Sequence, residues 1–267
     1  VKAAIRPEIA AMQRTAKALA ALDCLTGLSR AALKDRYVRP QITNSREGRI
    51  SIHDGRHPMV EHALKREMFV PNDTELNHTD QEMIIITGPN MAGKSTYMRQ
   101  VAVLTIMAQT GSFIPAKSAS FAPVDRIFTR VGAADDISTG QSTFMVEMKE
   151  VSHILCNATK NSLILLDEIG RGTSTYDGMS IARAVVEYLN SKVHAYTLFA
   201  THYHELSDMA AENEHIKNYT VTVKERGKEI TFLRRIVPGS ADKSYGIHVA
   251  RLAGLPESLL KLSLIHI

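Results

Sequence analysis

The sequence predicts an α/β fold in which a mostly parallel β-sheet is flanked by helices. Three short apolar runs are typical of buried strands, at residues 83–86, 163–166 and 197–200. Segments with helical composition alternate with these runs, near residues 95–108, 144–158 and 178–189. Because parallel strands need long crossover connections, usually helical, this alternation indicates a parallel sheet covered by helices.

The segments on either side of this region predict further elements. Residues 7–33 are rich in Ala, Leu, Lys and Gln, which favours one long N-terminal helix. Residues 35–82 are interrupted by prolines and glycines, so short strands and loops are expected there. Strand-like residues 219–224 and 229–236 surround a turn and predict a hairpin at the margin of the sheet. Two short helices should follow, separated at Gly254 and Pro256.

The composition is that of a globular protein with a buried core. Of the 267 residues, 44% are hydrophobic and 22% are charged, close to the average for soluble domains. The longest apolar runs are far shorter than the roughly 18 residues that cross a bilayer, so no membrane contact is expected. Cys24 and Cys156 lie far apart in a chain without a signal-peptide pattern, which favours a cytoplasmic protein. The net charge of +4 permits contact with nucleic acid but does not argue for it.

Residues 88–95, with the sequence GPNMAGKS, match the phosphate-loop pattern G-x-x-x-x-G-K-[ST] between a strand and a helix. In such a loop, backbone N–H groups and the helix N-terminus point at phosphate oxygens. Lys94 supplies a cation to the β and γ phosphates of ATP, and the hydroxyl of Ser95 is placed to bind Mg²⁺. A chance match is the alternative, but the flanking strand and helix would also have to be accidental. The chain is therefore predicted to be a P-loop NTPase.

Two carboxylates lie at the end of the second buried strand and could supply the metal ligand and the base that ATP hydrolysis needs. Asp167 and Glu168 follow residues 163–166 at the carboxyl edge of the sheet, where ligands bind. Asp167 is expected to hold Mg²⁺, directly or through water, and Glu168 to deprotonate the attacking water. The alternative is a solvated acidic turn after a strand.

Two further candidates are less specific. His202 follows the third strand and can reach the γ-phosphate, whereas a metal site formed with His204 is disfavoured by the lack of further ligands. Ser142 or Thr143 is predicted to cap a helix whose apolar face carries Phe144, Met148, Val151 and Leu155. By itself, this segment is an ordinary capped helix.

Four segments together resemble the MutS family, namely residues 88–96, 142–148, 167–178 and 201–206. Residues 54–58 (DGRHP) are also similar, and the resemblance extends from about residue 7 to residue 261. It implies an ABC-class ATPase in which two subunits enclose two ATP molecules, with the nucleotide held by Gly88, Pro89, Asn90, Met91, Ala92, Gly93, Lys94, Ser95 and Thr96. Ala92 departs from the glycine that many members have, and binding is expected to survive.

The resemblance assigns roles that the pattern alone leaves open. It implies that Ser142 faces the nucleotide of the opposite subunit, that residues 173–175 form a loop across the dimer interface, and that Phe69 stacks on adenine. A core phenylalanine remains the alternative for Phe69. The final helix, turn and helix could be a DNA-reading element, but Lys243, Arg251 and Lys261 are few basic residues for that purpose. In the family the corresponding element joins two subunits, so we expect dimerisation.

The expected organisation has four parts. Residues 1–35 end a core or lever helical region, residues 36–240 form the ABC-type ATPase domain, residues 241–261 form the helix-turn-helix dimerisation element, and residues 262–267 are a non-native tail. The chain is expected to be a fragment of a bacterial, DNA-associated protein that lacks the mismatch-reading segments. Its implied partners are a second copy, mismatched duplex DNA in the full-length protein, and a downstream protein of the MutL type.

Four other functions compete with this prediction. A small-molecule kinase would not need Glu168 after Asp167. A transporter ATPase would show a Leu-Ser-Gly-Gly-Gln-like signature, which is absent from this sequence. A MutS relative that acts in recombination would be expected to depart from the sequence of residues 142–148. A non-enzymatic dimerisation fragment would not turn over ATP.

Overall fold

The computed structural model describes residues 5–44, 48–64, 68–89, 92–132, 142–226, 229–240 and 245–265. The helices are α1 (Ile9–Lys34), α2 (Pro58–Ala63), α3 (Lys94–Gln109), α4 (Thr143–Asn157), α5 (Thr175–Tyr188), α6 (Met209–Glu212), α7 (Gly246–Leu252) and α8 (Glu257–Ile265). The strands are β1 (Gln41–Ile42), β2 (Arg49–Gly55), β3 (Asn72–Asn77), β4 (Met83–Thr87), β5 (Ser118–Phe121), β6 (Ile127–Arg130), β7 (Leu163–Asp167), β8 (Tyr196–Ala200), β9 (Ile216–Arg226) and β10 (Glu229–Pro238).

The larger sheet has six strands in the order β10-β9-β4-β8-β7-β6. Strands β9, β4, β8, β7 and β6 are parallel, and β10 pairs antiparallel with β9 at the edge. The predicted α/β architecture and the marginal hairpin are therefore confirmed. The three predicted strands and the three predicted helices are present, with bounds that differ from the prediction by a few residues.

Side chains alternate between two core clusters on opposite faces of this sheet. Ile84 and Ile86 of β4 join the cluster that packs against α3. Met83 and Ile85 of the same strand join the cluster that packs against α4 and α5. Because both faces are covered by helices, the central strands are fully buried, as their continuous apolar runs predict.

A second, four-stranded sheet in the order β1-β5-β2-β3 was not predicted as a separate unit. Two of its strands, β1 and β5, have only two and four residues, and β5 has the sequence SASF, which has little strand character. The short helix α2 also lies where only strands and loops were predicted. Pro58 does not interrupt this helix, because it occupies the first helical turn. Backbone N–H groups in that turn have no partner within the helix, so the missing N–H of proline costs no hydrogen bond there.

The terminal helices agree with the sequence. Helix α1 is 26 residues long, and Ala32 is its buried residue. Helices α7 and α8 are separated by residues 253–256, as expected from Gly254 and Pro256. The first four residues of the predicted tail continue α8, and the last two lie outside the described residues. Within the part of the chain that the structure describes, no helix has the length and hydropathy of a membrane span.

Candidate functional site

The carboxyl ends of β4, β7 and β8 meet at one edge of the larger sheet. The N–H of Glu168 donates to the carbonyl of Ala200 at 2.9 Å, and the N–H of Thr201 donates to the carbonyl of Ile86 at 3.1 Å. These bonds bind the three strand ends together just before the chain leaves the sheet. The candidate residues that follow each strand are therefore placed close to one another, as expected for a parallel sheet.

The phosphate-loop segment joins β4 to α3. Gly88 and Gly93 have φ values of +132° and +103°, a left-handed conformation that a side chain would strain. Ala92 is fully buried in the core cluster that includes Tyr97, so its methyl group is accommodated by packing. Asn90 and Met91 lie outside the described residues, and Thr96 lies in the first turn of α3.

Lys94 is buried against its own loop. Its Nζ donates to the carbonyls of Gly88 at 2.6 Å and Pro89 at 2.9 Å. Burial lowers the pKa of Lys94 to about 8, although the charges of Glu168 and Asp167 oppose this shift. An anion that approached the ammonium group would offset this burial, so Lys94 is suited to bind a phosphate.

Asp167 has an oxygen that fits a hard cation. Burial raises the pKa of its carboxyl, while the hydrogen bond from Ser95 and the charge of Lys94 oppose that shift. Its Oδ1 is buried without a hydrogen-bond partner among the described residues. No described cluster of three or more His, Cys, Asp or Glu side chains could hold a metal by itself. The Ser95 hydroxyl and the Asp167 carboxylate therefore suit Mg²⁺, which takes few protein ligands and completes its shell with water and substrate phosphate.

Glu168 is held from both sides. Its Oε1 lies 2.7 Å from Nε2 of His202, and its Oε2 pairs with the guanidinium of Arg171. The hydrogen bond from His202, followed by the charges of Arg171, His202 and Lys94, lowers the pKa of Glu168 against the effect of burial. The carboxylate is consequently ionised at neutral pH, the state that a general base requires.

Arg171 is a member of this site that sequence reasoning missed. It follows Glu168 by three residues, in the turn between β7 and α5. A cleft of about 220 Å³ next to this pair is lined by Glu168, Ile169, Arg171, Thr173, Thr175, Thr201, His202 and Tyr203. The sequence could have indicated Arg171, because it places a positive charge within a few residues of two carboxylates.

Ser142, one of the two residues predicted as the N-cap, caps α4. Its φ and ψ are extended, and its Oγ accepts the N–H of Met145 at 3.2 Å. Its side chain is exposed at a helix N-terminus. Its orientation towards the nucleotide of a second subunit remains a prediction.

The loop before α5 is also capped by a serine. Ser174 accepts the N–H of Asp177 at 3.4 Å and donates to its carboxylate at 2.7 Å. The turn approaches α4 closely, because a Cβ added to Gly172 would lie 2.9 Å from Cβ of Phe144. The predicted role of residues 173–175 in a dimer interface remains a prediction.

Phe69 is half-buried in the coil that leads to β3. Three residues later, the Asn72 side chain donates to the carbonyl of Arg234 at 3.1 Å and accepts the N–H of Ile236 at 2.7 Å. This bridge joins the coil to the hairpin, at a bulge where Arg234 has a φ of +55°. Stacking of Phe69 on adenine remains a prediction.

Comparison with known proteins identifies the family of this chain. A family model described as MutS domain V matches residues 84–264, a range that contains α3, β7, β8 and all of β4 except its first residue. The chain belongs to the MutS family. It is 57% identical over 260 residues to the DNA mismatch repair protein MutS of Acetivibrio thermocellus, with 97% of the chain and 30% of that protein covered.

Two other MutS relatives give the same result. The DNA mismatch repair protein MutS of Caldicellulosiruptor bescii is 59% identical, with 96% of this chain and 30% of the relative covered. That of Methanococcoides burtonii is 58% identical, with 93% and 28% covered. The chain thus spans about 30% of the length of the curated relatives it matches.

Proposed function

We propose that this chain is the ATPase region of a MutS-type mismatch-repair protein, which hydrolyses ATP to ADP and phosphate with Mg²⁺. The observation that carries the proposal is the convergence of Lys94, Asp167 and Glu168 at one sheet edge, beside a glycine turn of phosphate-loop sequence. In this proposal, residues 36–240 form the P-loop domain of the ABC class, between a helical segment (1–35) and a dimerisation element (241–261).

Binding is assigned to the phosphate loop and the neighbouring carboxylate. Lys94 gives up its bonds to the carbonyls of Gly88 and Pro89 and donates instead to the β and γ phosphates. Ser95 and Asp167 would hold Mg²⁺ through the Ser95 hydroxyl and the Asp167 Oδ1, which has no hydrogen-bond partner in the part of the chain that the structure describes. When bound, the cation neutralises charge on the β and γ phosphates.

Hydrolysis is assigned to Glu168 and His202. Glu168 accepts a proton from a water molecule whose oxygen bonds to the γ-phosphorus, and the bond from that phosphorus to the β,γ-bridging oxygen of ADP breaks. His202 orients the Glu168 carboxylate through their 2.7 Å contact and lies where it can also contact the γ-phosphate. General-base assistance of this kind contributes about 10² to 10⁴ in rate.

The site is proposed to be completed by a second copy of the chain. Ser142 lies at the exposed start of α4 and would approach the γ-phosphate bound by the opposite subunit. The region would then use ATP hydrolysis to switch the DNA-bound state of the full-length dimer, which would contact mismatched DNA and a MutL-type protein. Helices α7 and α8 would add to the dimer contact.

ATP turnover as a function of protein concentration tests the shared site. A composite site predicts that turnover rises with the square of the concentration when most of the protein is monomeric. Strictly proportional turnover would instead mean that each chain carries a complete site.

Mixed variants give the matched control. Lys94→Ala and Ser142→Ala should each be poorly active, but a hybrid dimer of the two keeps one site with both residues intact. The mixture should therefore regain activity. An inactive mixture whose dimers are confirmed by sedimentation would contradict the shared site.

A further inference from the structure

Glu147 is a buried carboxylate that the proposed chemistry does not use. It lies on α4, five residues after Ser142, and is 5% exposed. Its Oε1 accepts the N–H of Gly170 at 2.6 Å. Its Oε2 lies 3.5 Å from Nη2 of Arg130 at the end of β6. A helix is thus joined to the turn that follows Glu168.

Gly170 has little freedom to move away from this contact. Its φ is +90°, and a Cβ at this position would collide with the carbonyl of Gly178. Its own carbonyl accepts the hydroxyl of Tyr203 at 3.1 Å. The Gly170 residue is therefore fixed on its N–H side by α4 and on its carbonyl side by the residue that follows His202.

The position of Gly170 sets the position of the catalytic carboxylate. Gly170 lies two residues after Glu168, and the next residue, Arg171, pairs with the Glu168 carboxylate. A shift of the Gly170 amide would therefore move both members of the Glu168 and Arg171 pair. Misplacement of a reacting group by about 1 Å can reduce a rate by about 10²-fold.

Charge compensation for Arg130 does not by itself explain Glu147. The Nε of Arg130 lies 2.8 Å from Oε2 of Glu150, one turn further along the same helix, so Arg130 has a second carboxylate partner. The shorter contact of Glu147 is with the Gly170 amide rather than with Arg130. A buried acceptor is needed there because the N–H of Gly170 is itself buried and would otherwise lose its hydrogen bond.

We propose that Glu147 is a positioning residue, which holds the Glu168 turn in its catalytic geometry through the amide of Gly170. Since Ser142 begins the same helix, Glu147 also links the position of Ser142 in one subunit to Glu168 of that subunit's own site. This inference rests on the proposed function, because it assigns Glu147 to the hydrolysis step that Glu168 performs.

The test compares three variants of the full 267-residue chain. Glu147→Met keeps most of the side-chain volume but removes the acceptor. Glu147→Gln keeps an oxygen that can accept the Gly170 N–H. Glu150→Gln is the matched control, because it alters the other partner of Arg130 and leaves Gly170 untouched. Thermal melting confirms that each variant is folded before ATP turnover, KM and hydrogen exchange at the Gly170 amide are measured.

The methionine variant should lose about 10-fold to 100-fold in kcat with little change in KM. Its Gly170 amide should exchange faster than in the unaltered chain. The glutamine variant should recover most of the lost activity and protection, and the Glu150 control should resemble the unaltered chain. If the methionine variant does not fold, the glutamine variant decides. Because a neutral amide oxygen is a weaker acceptor than a carboxylate, Glu147→Gln should then show a several-fold lower kcat and faster exchange at the Gly170 amide than the unaltered chain, and unchanged values of both would overturn the role.

Unchanged kcat in Glu147→Met, or a Gly170 amide that stays protected, would overturn the positioning role. An equal loss in Glu150→Gln would also overturn it, because the Arg130 charge would then be the cause. A parallel Glu168→Ala variant separates this failure from failure of the proposed function. If Glu168→Ala turns over ATP normally, the proposed function itself is wrong. If only Glu168→Ala is impaired, the positioning role alone is wrong.

Discussion

Glu168 and His202 are joined at 2.7 Å across two neighbouring parallel strands, by Oε1 of the carboxylate and Nε2 of the ring. Glu168 follows the last residue of β7, and its N–H donates to the carbonyl of Ala200 at the end of β8. His202 lies two residues after Ala200. Glu168 has a φ of +58°, which turns the chain sharply away from the strand. The sheet therefore brings together a carboxylate and an imidazole that are 34 residues apart.

Replacing Glu168 with Gln should reduce ATP hydrolysis at least about 100-fold while leaving Mg-ATP binding nearly unchanged. The amide keeps the size of the side chain but cannot accept a proton from water. Binding would be followed with a fluorescent ATP analogue, and hydrolysis by phosphate release under single-turnover conditions. Exposed Glu205 offers a nearby control, since Glu205→Gln should have no such effect. Weaker nucleotide binding in Glu168→Gln would instead assign Glu168 to the phosphate contacts.

Replacing Arg171 with Ala should move the acidic limb of the pH profile for kcat to higher pH. The pKa of Glu168 is lowered first by the hydrogen bond from His202 and then by the charge of Arg171. Without that charge, the pKa rises. Because only the ionised carboxylate can act as a base, activity is lost earlier as the pH falls.

The comparison for this prediction is Arg183→Ala on α5. Arg183 pairs with Glu187 and Glu212 on the surface, so its loss should leave the profile unchanged. A profile for Arg171→Ala that coincides with that of Arg183→Ala would show that Arg171 does not influence the base.

The affinity for ATP should fall as the pH rises from about 7 to about 9. Burial lowers the pKa of Lys94 to about 8, so above that pH the free protein increasingly carries a neutral amine. Bound phosphates favour the ammonium form, and binding must then take up a proton, which weakens the affinity by up to about tenfold per pH unit. Titrations with the fluorescent ATP analogue at several pH values would measure this. Lys94→Arg should bind with little pH dependence, since arginine keeps its charge. A flat profile for the unaltered chain would contradict the role of Lys94.

The parts of this site that follow from the sequence are those that a single segment encodes. An apolar run that ends in Asp167 and Glu168 predicts both a buried strand and two carboxylates at its end, and the structure has them there. Local spacing likewise predicts an N-cap at Ser142 or Thr143, and the structure has it at Ser142. These features depend on residues close together in the chain, where hydrophobic period and capping preference act.

The contacts between segments were not predictable in this way. Gly170 and Glu147 are 23 residues apart in the chain. Their hydrogen bond depends on the left-handed conformation of Gly170 and on packing between α4 and the turn after β7. The pairing of Arg171 with Glu168 depends on the same turn. Short strand β5 was missed because it is recognisable only by its pairing with β2 in the second sheet. Such features are set by tertiary contacts, which override local preference.

The final prediction is that this chain will not distinguish mismatched from paired DNA. Discrimination needs contacts at the lesion and a bending energy that depends on the base step. The resemblance assigns these to segments outside this chain, which spans about 30% of its relatives. With a net charge of +4, any binding should rest on scattered phosphate contacts, with a dissociation constant of about 10⁻⁴ to 10⁻⁶ M at physiological salt. Competition titrations would compare a duplex carrying one G·T mismatch with its paired control, with and without ATP. A preference above about tenfold, or about 1.4 kcal/mol, would place a lesion-reading surface within this chain.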